Sequence, residues 1–205
     1  DIYNCHKILG TDKDISTLKR RLNNLNMRLI LDFVPNHFSV YTSLLHKMPE
    51  MFLTGDEQDR KQYPGIFFSM DNGNTFAHGR DPYFDPWQDT TQVNIFNEKA
   101  RSFLTETLMK IASLCDGVRC DMAMLLLNDI FLNTWRQFLG KGEYIKPHKE
   151  FWETAIQQVR KKYKNFIFIA EAYWDTGWRL QQMGFDYTYD KVLYDRLLYG
   201  SANNI

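Results

Sequence analysis

Apolar residues recur along the chain in two patterns, one typical of amphipathic helices and one typical of buried strands. Near the beginning, Ile15, Leu18, Leu22 and Leu25 are spaced three and four residues apart. This spacing places them on one face of a helix, and polar residues fill the positions between them. The pattern predicts an amphipathic helix that covers a sheet and ends near Asn26.

The segment after this helix has the pattern of a buried strand. Residues 28–34 (Arg-Leu-Ile-Leu-Asp-Phe-Val) are apolar on both alternating faces except at Asp32. This is typical of a strand that is buried on both sides, as in a parallel sheet. Pro35 ends the run, and Asn36 and His37 follow at its carboxyl end. A helix that feeds such a strand indicates an α/β fold, and α/β barrels build their active sites at this edge.

Periodicity fades between residues 38 and 97, a stretch of roughly 60 residues that exceeds an ordinary connecting loop. It contains a tight-turn sequence at Asn72-Gly73 and many aromatic rings. We predict a small subdomain inserted after the strand, in which most rings form a core and one or two face a ligand. The rings are Tyr63, Phe67, Phe68, Phe76, Tyr83, Phe84 and Trp87.

Two further apolar runs, residues 114–121 and 166–171, each end on a carboxylate. In the first, Arg119 and Asp121 project from the same face of the strand because they are two residues apart. A guanidinium beside a carboxylate keeps it ionised at neutral pH, as a nucleophile requires. A purely structural Arg–Asp pair would give the same pattern, so this run alone leaves both interpretations open. The second run ends at Glu171.

Helical spacing predicts the elements between and after these strands. Helices are expected from Asn97, from Asn128 or Asp129 to a break at Gly140–Gly142, from Phe151 and over residues 191–199, with a short strand at 183–187. Each of the two acid-ended strands follows a helix. This order again indicates an α/β fold.

Three predicted strands therefore end at one edge of the sheet with polar side chains. A buried acid is unfavourable unless it has partners, so several acids at equivalent places indicate a site. The residues flanking Glu171 are apolar or aromatic, and desolvation is expected to raise its pKa while Asp121 stays ionised. Two carboxyls in different protonation states can act as nucleophile and acid/base, as in double-displacement glycoside hydrolysis. The side chains concerned are Asp32, Asn36, His37, Arg119, Asp121 and Glu171.

The amino-acid composition limits the kinds of partner that the protein is expected to bind. The 205 residues include 25 Lys and Arg and 25 Asp and Glu, so the formal net charge is zero, and we expect neither nucleic acid nor a membrane as partner. Aromatic residues make up 15% of the chain, which fits either a large core or ring stacking on sugars. The odd set Cys5, Cys115 and Cys120 predicts free, mostly buried thiols.

Nothing in the chain resembles a membrane span or a secretion signal, which favours a soluble, cytoplasmic protein. The chain begins with Asp rather than Met, so its location stays undetermined and we expect the amino terminus to be truncated.

Four short motifs carry a resemblance to a known family. Residues 29–37 (Leu-Ile-Leu-Asp-Phe-Val-Pro-Asn-His) resemble the first signature of the α-amylase family of glycoside hydrolases. Residues 116–121 (Asp-Gly-Val-Arg-Cys-Asp) resemble the second signature, and residues 169–172 (Ile-Ala-Glu-Ala) resemble the third. Residues 92–94 (Gln-Val-Asn) look like a motif near the end of the family's inserted B domain. The motifs occur in the family's order along almost the whole chain.

The resemblance implies a (β/α)8 TIM barrel, here partial, formed by residues 1–37 and 98–205, with residues 38–97 as an inserted B-type subdomain. It implies a retaining glycoside hydrolase that cleaves α-glucosidic bonds of malto-oligosaccharides or α-glucans. Asp121 would be the nucleophile and Glu171 the acid/base. Arg119 and His37 would bind substrate, with Arg119 also orienting Asp121.

Asp32 and Asn36 would support the site in this family. In calcium-binding relatives, Asn36 would bind the ion together with an Asp at the position that Gln92 occupies here. Calcium prefers charged or carbonyl oxygens, and Gln92 is neutral. Asn36 is therefore a candidate calcium ligand, but we expect no required cofactor.

The chain also departs from the family pattern. The family's late Asn-His-Asp motif, which carries a third acid, does not occur, and about four strands are recognisable where a barrel has eight. We expect an internal fragment that alone is unstable and inactive. Met124 and Leu125 stand where many amylases have sugar-binding Lys and His, and suggest an apolar acceptor side. A glycosyl-transferring or isomerising enzyme and a non-catalytic carbohydrate-binding or scaffolding relative are the alternatives.

Overall fold

The computed structural model describes residue 8 and residues 10–139 and 146–204. The predictions about Cys5 and about the helix break at Gly140–Gly142 lie outside these residues. The strands are β1 (Ile30–Phe33), β2 (His37–Ser39), β3 (Thr54–Gly55), β4 (Phe67–Ser69), β5 (Thr75–Ala77), β6 (Thr90–Gln92), β7 (Gly117–Cys120), β8 (Ile167–Ala170) and β9 (Tyr187–Thr188). The helices are α1 (Asp12–Asn24), α2 (Leu44–Lys47), α3 (Glu57–Gln62), α4 (Glu98–Leu114), α5 (Asn128–Leu139), α6 (Phe151–Lys162), α7 (Gly177–Gln182) and α8 (Lys191–Tyr199), with short 3₁₀ turns at Pro49–Met51, Ala123–Leu126 and Ala202–Asn204.

A parallel sheet with the strand order β1-β7-β8-β9 organises the fold. Leu31, Val118 and Phe168 are partners across three strands, and Asp32, Arg119 and Ile169 form the next row. Because the strands are parallel and in register, their carboxyl ends meet at one edge. The expected α/β fold with a parallel sheet is confirmed. In the described residues this sheet is open rather than closed into a barrel.

Gly117 lets three strands approach closely. A Cβ atom at this position would lie 2.6 Å from the carbonyl oxygen of Ile167 and 2.7 Å from Cδ1 of Ile30. Any side chain here would push β7 away from its neighbours. The glycine of the Asp116-Gly117 motif is therefore required by packing.

Helices α4 and α6 provide the apolar cover of the sheet. Phe151 and Trp152 of α6 are fully buried, and the Trp152 ring makes an edge contact with Phe33 of β1 at 6.3 Å between centroids. The Trp152 indole N–H donates to the carbonyl of Ala123 at 2.8 Å. Cys115 and Cys120 are buried free thiols, as predicted for these two cysteines.

The first helix and strand are less buried than predicted. Leu18 and Leu25 of α1 are 49% and 71% exposed, and Val34 is 39% exposed. The side chain of Asp32 in β1 is 68% exposed. The neighbours of Asp32 on this face of the sheet, Arg119 and Ile169, are only partly buried, so within the described residues this face is uncovered across three strands. The expectation of a strand buried on both faces is wrong for this reason.

Residues 38–97 form two small antiparallel sheets, one of β2 and β6 and one with the order β3-β5-β4. Phe52 and Phe76 pack edge to face within this segment at 6.2 Å. Phe67 also contacts Phe138 of α5 at 5.0 Å, so the segment shares its core with the parallel sheet. The assignment of this segment as a separate B-type subdomain stays a prediction.

The strand predicted at residues 183–187 lies slightly later in the chain. Met183 caps α7, and Gly184 adopts a φ of +112°, where an added Cβ would lie 3.0 Å from Cγ2 of Ile156 of α6. The chain therefore turns here before pairing with β8 through β9. In the described residues no helix has both the length and the apolar character needed to cross a membrane.

Candidate active site

Asp121 follows the last residue of β7 and is held by its backbone and its side chain. Its N–H donates to the carbonyl of Phe33 at 2.9 Å, which continues the pairing with β1. Arg119 Nη1 donates to Asp121 Oδ1 at 2.8 Å. The predicted side-by-side placement of Arg119 and Asp121 is thus what the structure contains. Met122 then turns the chain with a left-handed φ of 43°.

Arg119 also binds the second acid. Its Nη2 lies 2.7 Å from Glu171 Oε2, while Nη1 lies 3.9 Å from Asp32 Oδ2. Its Nε donates to the hydroxyl of Tyr189 at 3.1 Å. The planar guanidinium presents several donors in a fixed arrangement, which suits simultaneous binding of two carboxylates. One arginine therefore connects the carboxyl ends of all four strands of the parallel sheet.

Glu171 is almost fully buried, at 8% exposure, and both of its carboxylate oxygens are hydrogen-bonded. Met122 N–H donates to Oε2 at 2.9 Å, and the hydroxyl of Tyr173 donates to Oε1 at 2.7 Å. These donors fix the direction of the carboxylate. Tyr173 and Tyr189 are two site residues that the sequence motifs did not identify. For Tyr173, the sequence did contain an indication of a role in the site, because this residue lies two positions after Glu171.

The pKa of Asp121 lies above the ordinary value of an aspartate. Burial and the nearby charge of Glu171 raise the pKa of Asp121, and the opposing effect of Arg119 does not compensate. Arg119 is shared between two acids, so its lowering effect on the pKa of Asp121 is outweighed. The ionisation of Asp121 at neutral pH stays a prediction. Burial and the hydrogen bond to Glu171 also raise the pKa of Tyr173, to about 12. Tyr173 is therefore a neutral donor at physiological pH.

His37 begins β2, just beyond the end of β1, with its ring against Trp87 at 5.0 Å between centroids. Burial lowers the pKa of His37, so the imidazole is neutral at pH 7. A Cβ on Gly79 would lie 2.9 Å from the Cβ of His37, so the backbone of residue 79 packs directly behind it. Nδ2 of Asn36 lies 3.4 Å from Nδ1 of the ring. Contact of His37 with a sugar stays a prediction.

The two supporting residues have different environments. Asp32 is largely exposed beside Arg119, whereas Asn36 is buried. Gln92 Nε2 donates to both Asn36 Oδ1 and the Asn36 carbonyl at 3.0 Å, and also lies 3.0 Å from the Val93 carbonyl. These hydrogen bonds of Gln92 connect β6 to the segment that follows β1.

The same contacts test the candidate calcium site. The Asn36 oxygens that would bind the ion already accept hydrogen bonds from Gln92. Among the described residues, no three His, Cys, Asp or Glu side chains are grouped as metal ligands. Calcium favours several charged or carbonyl oxygens, whereas here an amide N–H group faces the oxygens. These contacts do not fit a calcium ion bound through Asn36.

Met124 and Leu125 do not line the site. They lie in the 3₁₀ turn Ala123–Leu126 and are 0% and 3% exposed. The expectation that they create an apolar acceptor side is therefore wrong. The left-handed turn at Met122 directs the following residues into the core.

Together these features define an α/β domain in which one arginine joins two acids beyond adjacent parallel strands. Residues 1–191 match the family model of the α-amylase catalytic domain. The chain belongs to this family.

Individual relatives agree with this assignment. The chain is 27% identical over 188 residues to α-amylase 3 of Dictyoglomus thermophilum, a match covering 84% of this chain and 34% of the relative. Its fold is similar to that of an α-amylase from Lactobacillus plantarum, with a TM-score of 0.66, 22% identity and coverage of 98% of this chain and 42% of that one. A trehalose-6-phosphate hydrolase from Bacillus licheniformis gives a TM-score of 0.68 at 18% identity, covering 100% and 40%. The chain thus spans about a third to two fifths of the length of these relatives.

Proposed function

We propose that the protein is a retaining glycoside hydrolase that cleaves α-glucosidic bonds in malto-oligosaccharides or α-glucans. The observation that carries the proposal is the placement of Asp121 and Glu171, one residue beyond the register partners Cys120 and Ala170. Neighbouring strands lie about 4.7–4.9 Å apart, and the carboxyls of retaining glycosidases are about 5–5.5 Å apart. The sheet therefore places the two acids side by side beyond adjacent strands, the arrangement that double displacement uses.

In the first proposed step, an ionised Asp121 oxygen bonds to the anomeric carbon as the bond from this carbon to the leaving oxygen breaks. Glu171 gives its proton to the leaving oxygen, so the leaving sugar departs as a neutral alcohol. The result is a glycosyl ester on Asp121 and a carboxylate on Glu171.

In the second step, Glu171 removes a proton from water as the water oxygen bonds to the anomeric carbon. The bond between this carbon and Asp121 breaks, which restores the Asp121 carboxylate and the Glu171 acid. Two inversions give net retention at the anomeric carbon. A sugar hydroxyl in place of water would give transfer instead of hydrolysis.

Arg119 and Tyr173 support this cycle through their contacts with the acids. Arg119 pairs with both carboxyls, so it can stabilise the negative charge first on Asp121 and then on Glu171. The Tyr173 hydroxyl donates to Glu171 and holds its orientation in both protonation states. The cycle needs no cofactor, and the Gln92 contacts of Asn36 support a fold that does not depend on calcium.

Two variants with two substrates test the proposal in the full-length protein. Glu171→Gln removes the acid, so maltotriose hydrolysis should fall by several orders of magnitude, while α-glucosyl fluoride, whose leaving group needs no protonation, should still react rapidly with Asp121. Asp121→Asn should abolish reaction with both substrates. Near-normal turnover in Asp121→Asn would overturn the proposal.

Product analysis distinguishes hydrolysis from glycosyl transfer. We expect maltotriose to give glucose and maltose as the main products. Longer oligosaccharides as the main products would assign the protein to the transferring members of the family. With Met124 and Leu125 in the core, the argument for an apolar acceptor side no longer supports transfer.

A further inference from the structure

Tyr189 places its phenol beside Arg119, the residue that binds both acids. Arg119 Nε donates to the Tyr189 hydroxyl at 3.1 Å, and Arg119 Cζ lies 5.7 Å from the centre of the Tyr189 ring. The side chain of Arg119 is only 22% exposed, so its donors depend largely on protein acceptors. The phenol oxygen thus accepts the single N–H of Nε, while the acids pair with the terminal nitrogens.

The backbone around Tyr189 is held on both sides. The Tyr189 N–H donates to the carbonyl of Ala170 at 3.0 Å, which continues the pairing of β9 with β8. Thr188, the preceding residue, accepts a hydrogen bond from the side chain of Gln181 in α7 at 3.3 Å. Asp190, the following residue, caps α8 with its side chain. The phenol is therefore presented from a position that the sheet and two helices determine.

Four side chains with oxygen atoms face the Arg119 guanidinium, one from each strand of the parallel sheet or the residues just beyond it. Asp121 and Glu171 lie 2.8 Å and 2.7 Å from Nη1 and Nη2. Asp32 lies farther away, at 3.9 Å from Nη1, and is 68% exposed, so water screens its charge. The fourth group is the Tyr189 phenol, which holds the guanidinium without adding another close carboxylate.

The contact at Nε limits how Arg119 can bind the two acids. In a guanidinium, Nε and Nη2 lie on one edge and can bind a single carboxylate through two parallel hydrogen bonds. Glu171 is bound at this edge through Nη2, and its side chain is 11% exposed against 21% for Asp121. Opposite charges attract more strongly where water is excluded, so a free Nε would draw the guanidinium toward Glu171. The Tyr189 hydroxyl occupies Nε, and Nη1 stays on Asp121.

We propose that Tyr189 is a positioning residue, which holds Arg119 through Nε so that one terminal nitrogen binds each acid. The inference rests on the proposed glycosidase function, in which Asp121 and Glu171 act as nucleophile and acid/base. Tyr189 acts through Arg119 and does not contact the reacting atoms in this role. It keeps both carboxyls paired with the same positive charge throughout the cycle.

The kinetic test uses Tyr189→Phe in the full-length protein. This substitution keeps the ring but removes the oxygen that accepts from Nε. We expect kcat on maltotriose to fall about tenfold, as for the loss of a hydrogen bond to a charged group, while KM changes by less than about twofold. A rise in KM with an unchanged kcat would place Tyr189 against the substrate and overturn the positioning role.

A neighbouring tyrosine provides a matched control. Tyr187 lies two residues before Tyr189, in β9, and is 61% exposed. Tyr187→Phe removes the same atom from the same strand and should leave kcat unchanged. An equal fall in kcat in both variants would show that the loss comes from β9 as a whole and would overturn the role of the Tyr189 hydroxyl.

The pH profile of kcat/KM distinguishes positioning from a purely structural role. Arg119 lowers the pKa of Asp121, although burial and Glu171 outweigh this effect. When the guanidinium turns toward Glu171 in Tyr189→Phe, the lowering effect weakens and the pKa of Asp121 rises further. The acidic limb of the profile reports the ionisation of the nucleophile and should therefore move to higher pH. An acidic limb that stays in place would overturn the inference.

Partial misfolding cannot produce this result. A smaller fraction of folded enzyme lowers the whole profile but does not move its limbs along the pH axis. The position of the acidic limb therefore tests the placement of Arg119 even if Tyr189→Phe is less stable than the wild-type protein.

α-Glucosyl fluoride separates this inference from the proposed function. The fluoride needs no protonation of its leaving group, so its reaction depends on Asp121, and Tyr189→Phe should slow it as well. If the wild-type protein has no activity on the fluoride, the proposed function fails. If the wild-type protein hydrolyses the fluoride and Tyr189→Phe matches it in kcat and in the acidic limb, the positioning inference fails and the glycosidase proposal stands.

Discussion

Arg119 and Glu171 form an ion pair of 2.7 Å across two strands, although the residue in register with Arg119 on the neighbouring strand is Ile169. The arginine side chain thus extends past the strand end to reach the acid two residues further on. Its other terminal nitrogen binds Asp121 at 2.8 Å. The two acids therefore share a single positive charge.

Replacement of Arg119 tests whether one arginine must bind both acids. Arg119→Lys keeps the charge but loses the planar set of donors that binds two carboxylates. We expect kcat on maltotriose to fall by about 100-fold or more, with a smaller change in KM. Arg160→Lys is the control, because Arg160 pairs with Asp186 away from the acids. Equally small effects of both substitutions on kcat would show that turnover does not require Arg119 to bind both carboxyls at once.

The raised pKa of Asp121 predicts a gain in stability upon its neutralisation. A carboxyl whose pKa is higher in the folded than in the unfolded state destabilises the fold as the pH rises from the unfolded value of 3.8 through the folded value. Asp121→Asn should therefore increase the free energy of unfolding at pH 7, by about 0.5–2 kcal/mol, and gain little near pH 3.8. Urea unfolding at both pH values measures this. A loss of stability at pH 7 would contradict the argument.

Asp116 should show the opposite pH dependence. Burial opposes its ionisation, but the N–H of Leu29, the Asn23 amide and the Lys19 ammonium outweigh burial and lower its pKa. Its contribution to stability is present above pH 3.8 and is lost as the pH falls through its lower folded pKa. Asp116→Asn should thus lower the free energy of unfolding by about 1–3 kcal/mol at pH 7 and by less at acidic pH. Urea unfolding at the same two pH values measures this difference. An equal loss of stability at both pH values would contradict the argument.

The close approach at Gly117 predicts a strong effect of a single methyl group. Gly117→Ala places a Cβ 2.6 Å from the Ile167 carbonyl oxygen, so the strands must separate. We expect a loss of about 1–3 kcal/mol in the free energy of unfolding. Gly65→Ala is a matched control, since no atom lies within 4 Å of the added methyl. Thermal unfolding of the two variants should differ clearly, and equal melting temperatures would refute the packing argument.

The amide contacts of Gln92 predict that calcium has no effect on stability. Chelation of divalent ions should change Tm by less than about 1 °C, because an ion that does not bind cannot stabilise the folded state. Gln92→Leu should lower Tm, because it removes the donor to Asn36 Oδ1 and to the Val93 carbonyl, and one of the two donors to the Asn36 carbonyl. A fall in Tm upon chelation that added calcium reverses would show that an ion binds despite these contacts.

The sequence predicted the parts of this site that local geometry determines. The strand runs around Phe33, Val118 and Phe168 are strongly apolar, and the pairing of Arg119 with Asp121 follows from their spacing on one strand. Parallel order then places the acids at one edge. The motifs also identified the family, because they depend on residue types rather than on the details of packing.

Features that depend on several segments at once were not predictable in this way. The shared binding of two acids by Arg119 depends on cross-strand register, and the raised pKa of Asp121 follows from its burial and from the charge of Glu171 on the next strand. The burial of Met124 and Leu125 depends on the left-handed turn at Met122. An apolar pair after a catalytic strand fits a ligand wall and a core equally well in sequence.

The contacts of Arg119 with Asp32, Asp121, Glu171 and Tyr189 also have a consequence for how the active form arises. These partners come from four strands, so all four must be paired correctly before the arginine is fully bound. A chain with one strand slipped by a residue turns the affected side chains to the other face and cannot complete the acid pair. Under the proposed function, misassembled molecules would be inactive rather than unselective, and specific activity would measure the fraction of chains whose sheet has formed correctly.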